Sequence, residues 1–346
     1  MGQLNHRPTR LLPLLIFVGL AGITLCWGGM WILPMIGFGG KSTDHNAVTF
    51  NVDPTGKSII FSSADEHLYL LDLGTSVVSA INTPSGSAVD ASFAPDGDTI
   101  VYATPNPSNG FDLETLNLRS RAVKHLTTGT STSDSQPCFS PDGRSVAFVR
   151  AHRYRAYSMG GMVWDDYDIY LLDLESGTAK RLTDEKYYAA GSPSFSDHGK
   201  SITYSCSRHD LNVGTGINKI SISSGSRPIT VMPGTQDGYR GGAFASEAQI
   251  SPDGTKMTFI SDRAKPYEYD VYIADTDGSN PHRLELTKVS SYNQSPRFSA
   301  DGQAVYVLAG MNQVSLYWID FDGHTREVAD SEMFSSPKTW KGPSSP

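Results

Sequence analysis

The segment F-S-P-D-G-R-S-V-A-F at residues 139–148 decides the fold, because its turn and the strand after it recur along the chain. An apolar residue, a short polar turn closed by Gly and a β-rich run occur six times between residues 50 and 302. The closing glycines lie 41, 46, 56, 55 and 48 residues apart: Gly56, Gly97, Gly143, Gly199, Gly254 and Gly302. Repeats of this length are supersecondary units that must stack, since none buries its apolar faces alone.

The third repeat shows the pattern inside one unit. Its runs at 136–140, 145–149, 168–174 and 180–183 predict four antiparallel strands. Six such sheets set radially make a six-bladed β-propeller, so the predicted fold class is all-β. We expect the equivalent apolar residues to pack between blades: Phe50, Phe93, Phe139, Phe195, Ile250 and Phe298.

A hydrophobic leader precedes the repeats. Residues 11–40 carry no charge, Arg7 and Arg10 stand before them, and Lys41 follows. The run is long enough to span a bilayer, and it exceeds the apolar stretch of about 7–15 residues in a cleavable signal peptide. It therefore predicts a transmembrane helix that acts as a signal anchor, with a long signal peptide as the alternative. The positive-inside rule then places residues 1–10 in the cytoplasm and the propeller outside it, in a periplasmic or extracellular compartment.

The repeats fill one domain rather than two. The predicted organisation is a cytoplasmic N-terminus at 1–10, the anchor at 11–40, a propeller at 45–330 and a C-terminal tail at 331–346. The first and sixth blades each hold four strands of their own, so the sequence allows closure of the ring by packing without strand exchange and does not decide the mode of closure. Residues 333–340 offer an alternative, a late added strand.

Composition and motifs exclude several classes of function. The formal net charge is −8, with 28 Lys and Arg against 36 acidic residues and no basic stripe, so we expect no nucleic-acid partner. Three cysteines give no disulfide framework. Nucleophile-elbow, zinc and phosphate-loop motifs are missing from the sequence. These observations predict a protein that is not an enzyme and that has neither a metal site nor a cofactor.

Several strings closely resemble the repeat of the TolB-like, WD-repeat-like propellers. They are S-P-D-G-R-S-V-A-F (140–148), D-I-Y-L-L-D-L (168–174), K-R-L-T (180–183), S-P-D-G-T-K-M-T-F (251–259) and D-V-Y-I-A-D-T-D-G (270–278). The resemblance covers about residues 45–330 and implies a six-bladed propeller. It does not assign an activity, because similar repeats occur in periplasmic Tol components, in propellers that gate serine peptidases and in some polysaccharide lyases. TolB itself is normally a soluble periplasmic protein with a further N-terminal domain, whereas here an apolar leader precedes the first blade.

Strand direction sorts the connections onto two faces of the predicted disc. Turns between first and second and between third and fourth strands are tight and share one face. The other face receives the long segments 105–111, 152–167, 208–215, 233–246 and 264–269. Loops on a rigid scaffold commonly bind, and aromatic residues with Arg anchor interfaces. The candidate binding residues are Tyr154, Tyr157, Trp164, Tyr187, Tyr188, Tyr239, Arg240, Tyr267 and Tyr292; alternatively, some of these rings cap the blades or pack the loops.

The inner strands bring polar residues to the mouth of the central channel. Asp90 and Glu247 each stand three residues before the apolar core residue, in blades 2 and 5. Because these blades lie opposite one another, we expect solvated acids too far apart to share an ion directly, with a water-filled cation site as the alternative. Gln136 and Arg297 complete the predicted channel mouth.

Together these features predict a non-catalytic, membrane-anchored, extracytoplasmic propeller. It would bind a protein or a cell-envelope ligand through the long-loop face and would contact the membrane through its N-terminal helix. The alternative is a carbohydrate-active lyase or hydrolase with its site at the channel mouth. A third option is a structural propeller whose partner is another subunit of its complex.

Overall fold

The residues that the structure describes form six antiparallel sheets of four strands, and within each sheet the strands follow one another in sequence order. The computed structural model describes residues 48–156, 162–208, 215–234, 244–265, 268–285, 293–310 and 313–343. The predicted anchor at 11–40 lies outside these residues. Within the described ranges no helix has the length and apolar character needed to cross a bilayer.

The first three sheets span residues 50–181. Blade 1 consists of β1 (Phe50–Val52), β2 (Ser58–Ser62), β3 (Leu68–Asp72) and β4 (Val77–Ile81). Blade 2 consists of β5 (Val89–Phe93), β6 (Thr99–Pro105), β7 (Phe111–Asn117) and β8 (Val123–His125). Blade 3 consists of β9 (Ser133–Phe139), β10 (Ser145–Ala156), β11 (Met162–Asp173) and β12 (Ala179–Arg181).

The remaining sheets repeat the order. Blade 4 consists of β13 (Ala189–Ser196), β14 (Ser201–Ser207), β15 (Gly216–Ser221) and β16 (Ile229–Met232). Blade 5 consists of β17 (Ala245–Ile250), β18 (Lys256–Ser261), β19 (Asp270–Asp275) and β20 (His282–Arg283). Blade 6 consists of β21 (Asn293–Phe298), β22 (Ala304–Ala309), β23 (Ser315–Asp320) and β24 (Thr325–Ala329). The predicted all-β, six-bladed propeller is confirmed.

The turn between β9 and β10 shows why the repeated motif makes a hairpin. Gly143 donates its N–H to the carbonyl of Ser140 over 2.9 Å and has a φ of +70°, which glycine adopts without strain. The Ser140 hydroxyl donates to Asp142 Oδ1 over 2.6 Å and accepts from the N–H of Ser145 over 2.9 Å. Ser and Asp therefore satisfy the turn locally, as their short polar side chains favour.

These turns also lie next to one another around the disc. A methyl group placed on Gly143 would lie 3.6 Å from Cδ of Pro95 in the preceding blade, and one on Gly56 would lie 3.2 Å from Cβ of Ala300. The six contacts are Asp53–Gly97, Pro95–Gly143, Pro141–Gly199, His198–Gly254, Pro252–Gly302 and Ala300–Gly56. The last contact joins blade 6 to blade 1, so the ring is closed. We call this side of the disc the turn face and the opposite side the loop face.

Apolar clusters fill the six seams between neighbouring blades. The seam between blades 1 and 2 contains Ile60 and Phe93, and the seam between blades 6 and 1 contains Phe50 and Leu308. Of the six predicted core residues, Phe50, Phe93 and Phe298 are buried, while the other three pack at the edges of their clusters: Phe139, Phe195 and Ile250. The described blades 1 and 6 each keep four strands of their own, so these blades meet by packing without strand exchange.

A C-terminal segment covers the seam between blades 6 and 1. Helix α1 (Ser331–Ser335) begins after Asp330, whose side chain accepts the N–H groups of Glu332 and Met333. Asp330 also accepts the indole N–H of Trp340 over 2.8 Å. Met333, Phe334 and Trp340 are buried in the cluster that joins the two blades. Residues 331–335 are thus helical, where a late strand was the alternative prediction, and the capped helix inserts its apolar side chains into the seam.

Candidate functional site

One hairpin of blade 3 extends beyond the disc on the loop face. Strands β10 and β11 have 12 residues each, whereas the second and third strands of the other blades have 5–7. Residues 152–156 and 162–166, which we call the arm, continue the pairing past Ala151 and Tyr167. At a rise of about 3.3 Å per residue, five residues project roughly 17 Å. The sequence predicted a loop at 152–167, and the structure corrects this to a strand pair with residues 157–161 outside the described ranges.

The arm has two chemically different sides, because successive residues of a strand face opposite ways. Arg153 opposes Asp165, and Arg155 opposes Val163, on one side. Tyr154 opposes Trp164 on the other side, where Ala156 also opposes Met162. Over residues 153–156 and 162–165, one side is therefore charged and the other mainly apolar.

Two guanidinium groups share the buried carboxylate of Asp165, and Arg153 also lies 3.2 Å from Asp166 Oδ2. Arg153 donates through Nε to Asp165 Oδ1 over 2.8 Å and through Nη2 to Oδ2 over 3.1 Å. Arg155 Nε also donates to Asp165 Oδ2. Burial raises the pKa of Asp165, but the hydrogen bonds from Arg153 and Arg155 outweigh it and hold that pKa below its usual value. The carboxylate therefore stays ionised and fixes both arginines.

A buried tryptophan anchors the apolar side. Trp164 is only 1% exposed and donates its indole N–H to the carbonyl of Asn109 in blade 2 over 3.0 Å. The ring of Tyr154 lies 5.0 Å from that of Trp164. Tyr154 is 37% exposed and Met162 51% exposed, so both offer apolar surface to solvent. Trp164 is thus fixed by its hydrogen bond to blade 2 and by the apolar cluster between blades 3 and 4, and the arm presents Tyr154 and Met162 outward.

The predicted aromatic residues divide into surface, interior and undescribed positions. Tyr154 is exposed and Tyr188 is half-buried. Trp164 and Tyr187 are buried, so they support the loop face from within and do not lie on it. Tyr187 exchanges two backbone hydrogen bonds of 2.9 Å with Tyr167 at the base of the arm. The other predicted residues lie outside the described ranges: Tyr157, Tyr239, Arg240, Tyr267 and Tyr292.

The base of the arm contains ion pairs that the sequence did not reveal. Arg150 binds Asp134 through two hydrogen bonds of 2.6 and 2.7 Å, and Arg181 Nη2 lies 2.5 Å from Asp168 Oδ2. His152 Nε2 lies 3.4 Å from the Tyr170 hydroxyl. Burial and the charge of Arg181 lower the pKa of His152. Each pair joins residues of different strands. Asp168 and Arg181 are separated by the same number of residues as Asp270 and Arg283 of blade 5, which also form an ion pair, with Arg283 Nε 3.0 Å from Asp270 Oδ2.

The innermost strands of blades 2–6 share a bulge beside the channel. In each of them the strand register shifts next to a non-glycine residue with a φ near +50°. These residues stand three positions before the apolar core residue: Asp90 (55°), Gln136 (51°), Ser192 (50°), Glu247 (56°) and Ser295 (52°). We call them the belt. Their shared conformation brings three predicted channel-mouth residues to equivalent places around the ring.

Belt side chains accept hydrogen bonds from the belt residue of the next blade. Gln136 donates its N–H to Asp90 Oδ2 over 3.2 Å, and Ser192 donates to Gln136 Oε1 over 2.5 Å. Ser295 donates to Glu247 Oε2 over 2.5 Å. The Ser192 side chain is shorter, and the N–H of Glu247 instead reaches Ser205 Oγ over 2.8 Å. The belt thus links neighbouring blades through N–H groups that the bulges leave outside the strand pairing.

The channel holds two carboxyl groups with raised pKa values and one arginine. Burial raises the pKa of Asp90 to about 6, against the opposing effects of the Gln136 N–H and Arg297. Burial also raises the pKa of Glu247, which is only 7% exposed, so the expectation of a solvated acid is wrong for this residue. The charge of Arg297 opposes the rise in pKa of both acids, and its Nη1 donates to the carbonyl of Pro296 over 3.0 Å. The guanidinium also lies 5.9 Å from the ring of Phe50 in blade 1.

One group of possible metal ligands occurs among the described residues. Atoms of Asp320, Asp322 and His324 lie within 4.8 Å of one another at the last turn of blade 6. His324 Nδ1 lies 2.8 Å from Asp320 Oδ2, and the Asp320 side chain also accepts the N–H of His324. These contacts are those of a hairpin turn on the turn face, and they involve no residue of the arm or the belt.

The fold and the site define a six-bladed β-propeller with one elaborated face. No protein-family model matches the chain. It is 26% identical over 268 residues to the Tol-Pal system protein TolB of Francisella tularensis subsp. mediasiatica, which covers 75% of this chain. The chain spans about half (55%) of the length of that relative.

Solved structures give the same architecture. TolB from Acinetobacter baumannii superposes with a TM-score of 0.59 at 19% identity, over 83% of this chain and 64% of that one. An oligogalacturonate lyase from Vibrio parahaemolyticus gives 0.56 at 13% identity, over 81% and 76% of the two chains. The predicted resemblance to the TolB-like repeat is confirmed. At these identities the structural likeness establishes the fold, and it leaves the activity open.

Proposed function

We propose that this protein is a non-catalytic, membrane-anchored, extracytoplasmic propeller that binds a protein or cell-envelope partner through its loop face. The arm carries the proposal. It projects from the disc, is held in place by Trp164, and offers Tyr154 and Met162 to solvent. Exposed aromatic and Met side chains on a fixed support are typical anchors of protein interfaces.

The contrast between the two faces supports the same reading. On the turn face the polar side chains of the hairpins are engaged within their own turns, as Ser140, Asp142 and Asp320 are. Side chains that already form hydrogen bonds within their own turn have fewer groups free to bind a partner. On the loop face, by contrast, two 12-residue strands form the arm, which the propeller does not need for closure.

The proposed location rests on the leader and on the resemblance to periplasmic Tol components. Residues 11–40 have the length and apolar character of a membrane span, with Arg7 and Arg10 on the short side. The anchor would hold the propeller close to the outer surface of the membrane. Proteolysis of sealed vesicles tests this orientation: a propeller protected in right-side-out vesicles would contradict it.

Affinity capture with point variants tests the binding face. The tagged full-length chain would be purified in detergent and incubated with an envelope extract of its own cells. Tyr154→Ala combined with Met162→Ser should lose the captured partner. The matched control, Val77→Ser with Ile229→Ser, removes two apolar side chains that are 58% and 59% exposed outside the arm, and should retain it. Equal capture by both double variants would rule out the arm as the binding surface.

A second candidate function is carbohydrate cleavage at the channel mouth. A carboxyl group whose pKa is about 6, such as Asp90, is suited to general acid–base catalysis near neutral pH. The fold of an oligogalacturonate lyase is similar. This candidate ranks second because Asp90 and Glu247 are engaged with backbone N–H groups of the belt. Incubation with oligogalacturonate, for the wild type and Asp90→Asn, tests it: cleavage lost in the variant would favour the enzyme.

A further inference from the structure

We propose that the inner edge of the arm, residues 153–156 of β10, takes up an extended segment of the partner as an added β-strand, and that this segment alternates acidic and apolar side chains. The inference rests on the proposed function and specifies the chemistry of the partner. Strand addition to an exposed sheet edge is a known mode of peptide recognition.

The backbone of the arm supplies the first argument. Strand β9 pairs with β10 only as far as Ser133, which opposes Ala151. From Arg153 to Ala156, β10 pairs with β11 alone, and no other strand in the described ranges borders it. Alternate N–H and C=O groups of an antiparallel edge point away from the partner strand and remain available. The arm therefore offers a short template for pairing.

The position of this edge supplies the second argument. Strand β9 is the innermost strand of blade 3 and carries Gln136, a member of the belt at the channel. The free edge of β10 lies on the β9 side of the hairpin, since β9 pairs with that edge lower down. The open edge therefore borders the space above the channel mouth, and an extended segment lying there would run beside the channel.

The side chains supply the third argument, because an added strand places its own residues next to those of the edge on each side. Arg153 and Arg155 lie on one side, and Arg155 uses only Nε, toward Asp165, among the described contacts. Its terminal nitrogens can therefore bind a further carboxylate. Tyr154 lies on the other side beside Ala156 and Met162, which suits an apolar residue. The preferred segment thus alternates acidic and apolar residues.

The conformation of the arm is already fixed in the absence of a partner. Trp164 is fixed to the carbonyl of Asn109, and the Tyr167 hydroxyl donates to the carbonyl of Trp164 over 3.1 Å. The backbone pairing of Tyr167 with Tyr187 secures its base. A fixed template loses little conformational freedom on binding, so the added hydrogen bonds contribute more to affinity.

A synthetic peptide of four Glu-Val repeats with a fluorescent label tests the proposal by anisotropy with the full chain in detergent. It should bind more tightly than a Lys-Val peptide of equal length. N-methylation of all Glu residues and N-methylation of all Val residues give two further peptides. Because only one set of N–H groups faces the arm, one methylated peptide should lose affinity by about tenfold, as expected for about two lost hydrogen bonds. If neither methylated peptide binds more weakly, strand addition is refuted.

Two further measurements distinguish binding by strand addition from a general change in the structure of the protein. Arg155→Glu should weaken the Glu-Val peptide by about tenfold, as loss of a charge-assisted contact implies, whereas Arg144→Glu on the turn face should not. Hydrogen exchange at alternate amides of residues 153–156 should slow when the peptide binds to the wild type. Unchanged exchange, or equal binding by both variants, would overturn the proposal. If partner capture still depends on Tyr154 and Met162, the proposed function remains supported although strand addition is refuted. If capture does not depend on these two residues, both the proposed function and strand addition are refuted.

Discussion

At the scale of single residues, the belt shows how a strained backbone is maintained. A non-glycine residue in the left-handed region costs of order 1–3 kcal/mol. Asp90, Gln136 and Glu247 each adopt this conformation and use their side chains to accept an N–H from the next blade. An unpaired buried N–H costs about 1–3 kcal/mol, so satisfying it offsets much of the strain. The same geometry buries carboxyl groups and shifts their titration.

Replacing Asp90 with Asn should make the protein less sensitive to pH. The native state holds the Asp90 proton more tightly than the unfolded chain does, since the pKa is about 6 against 3.8. The resulting stability is fully present below pH 3.8 and is lost as pH rises through 6, by at most about 3 kcal/mol. Asn keeps an oxygen for the Gln136 N–H and carries no charge.

Chemical denaturation at pH 5 and pH 8 measures the effect. The loss of unfolding free energy between the two values should be smaller in Asp90→Asn than in the wild type, by about 1–2 kcal/mol. Asp142→Asn, a change in an exposed turn whose carboxyl has a lowered pKa, serves as the control and should not reduce this loss. Identical pH profiles for Asp90→Asn and the wild type would contradict the shifted titration.

Replacing Gly143 with Ala should destabilise the protein through its backbone alone. The φ of +70° costs an alanine about 1–2 kcal/mol. The added methyl group would meet Pro95 at 3.6 Å, an ordinary contact, so no clash contributes. Gly74→Ala is the matched control, in a turn whose glycine does not need a positive φ, and should cost much less. Thermal unfolding of the two variants compares them, and equal losses would show that the left-handed conformation is unimportant.

At the scale of elements, the sequence predicted the strands of the blades and missed the arm. The D-G turns set hairpin positions reliably because their chemistry is local, as in Ser140–Gly143. Residues 152–156 read H-R-Y-R-A and fall in the predicted long connection between the second and third strands, because the predicted second strand ends at residue 149. The belt was harder to find: its positions hold Asp, Gln, Ser and Glu and share only their distance from the core residue. Contacts between blades, which no local pattern contains, decide those conformations.

Replacing Trp164 with Ala should free the arm and loosen the adjoining part of the seam between blades 3 and 4, whose apolar cluster includes Trp164. The change removes a buried indole and its hydrogen bond to Asn109, and large-to-small core changes of this kind cost about 3–5 kcal/mol. Amide exchange in residues 153–156 and 162–166 should therefore accelerate by about a hundredfold or more. Exchange in β2 and β18, far from the arm, should be unchanged. Mass spectrometry of the exchanged protein distinguishes this from global destabilisation, in which all strands would accelerate together.

At the scale of the whole molecule, stability is distributed over six seams. Each apolar cluster combines residues of two adjacent blades, as Ile217 and Phe259 do between blades 4 and 5. The seam between blades 6 and 1 is the one that the C-terminal segment covers, with Phe334 packed edge-on against Phe61 at 5.3 Å. A ring without strand exchange depends on this seam as much as on the other five.

Removing the Phe334 side chain should therefore weaken the whole propeller. Phe334→Ala is expected to cost about 3–5 kcal/mol, similar to Phe93→Ala in the seam between blades 1 and 2. Calorimetry should show one cooperative transition at a lower temperature for both. Phe321→Ala, at a position 42% exposed on blade 6, is the control and should leave the transition nearly unchanged. An unaltered transition in Phe334→Ala would show that the tail does not secure the ring.

The belt also has a direction. In each link the belt side chain of one blade accepts a hydrogen bond from the backbone N–H of the next blade. The conformation of a belt residue therefore depends partly on the blade before it. The acceptor need not be a belt side chain, since the N–H of Glu247 reaches Ser205 of blade 4 and the N–H of Asp90 reaches Thr49 beside blade 1. A blade inserted into this ring would therefore keep the link only if the blade before it offers an acceptor at that place.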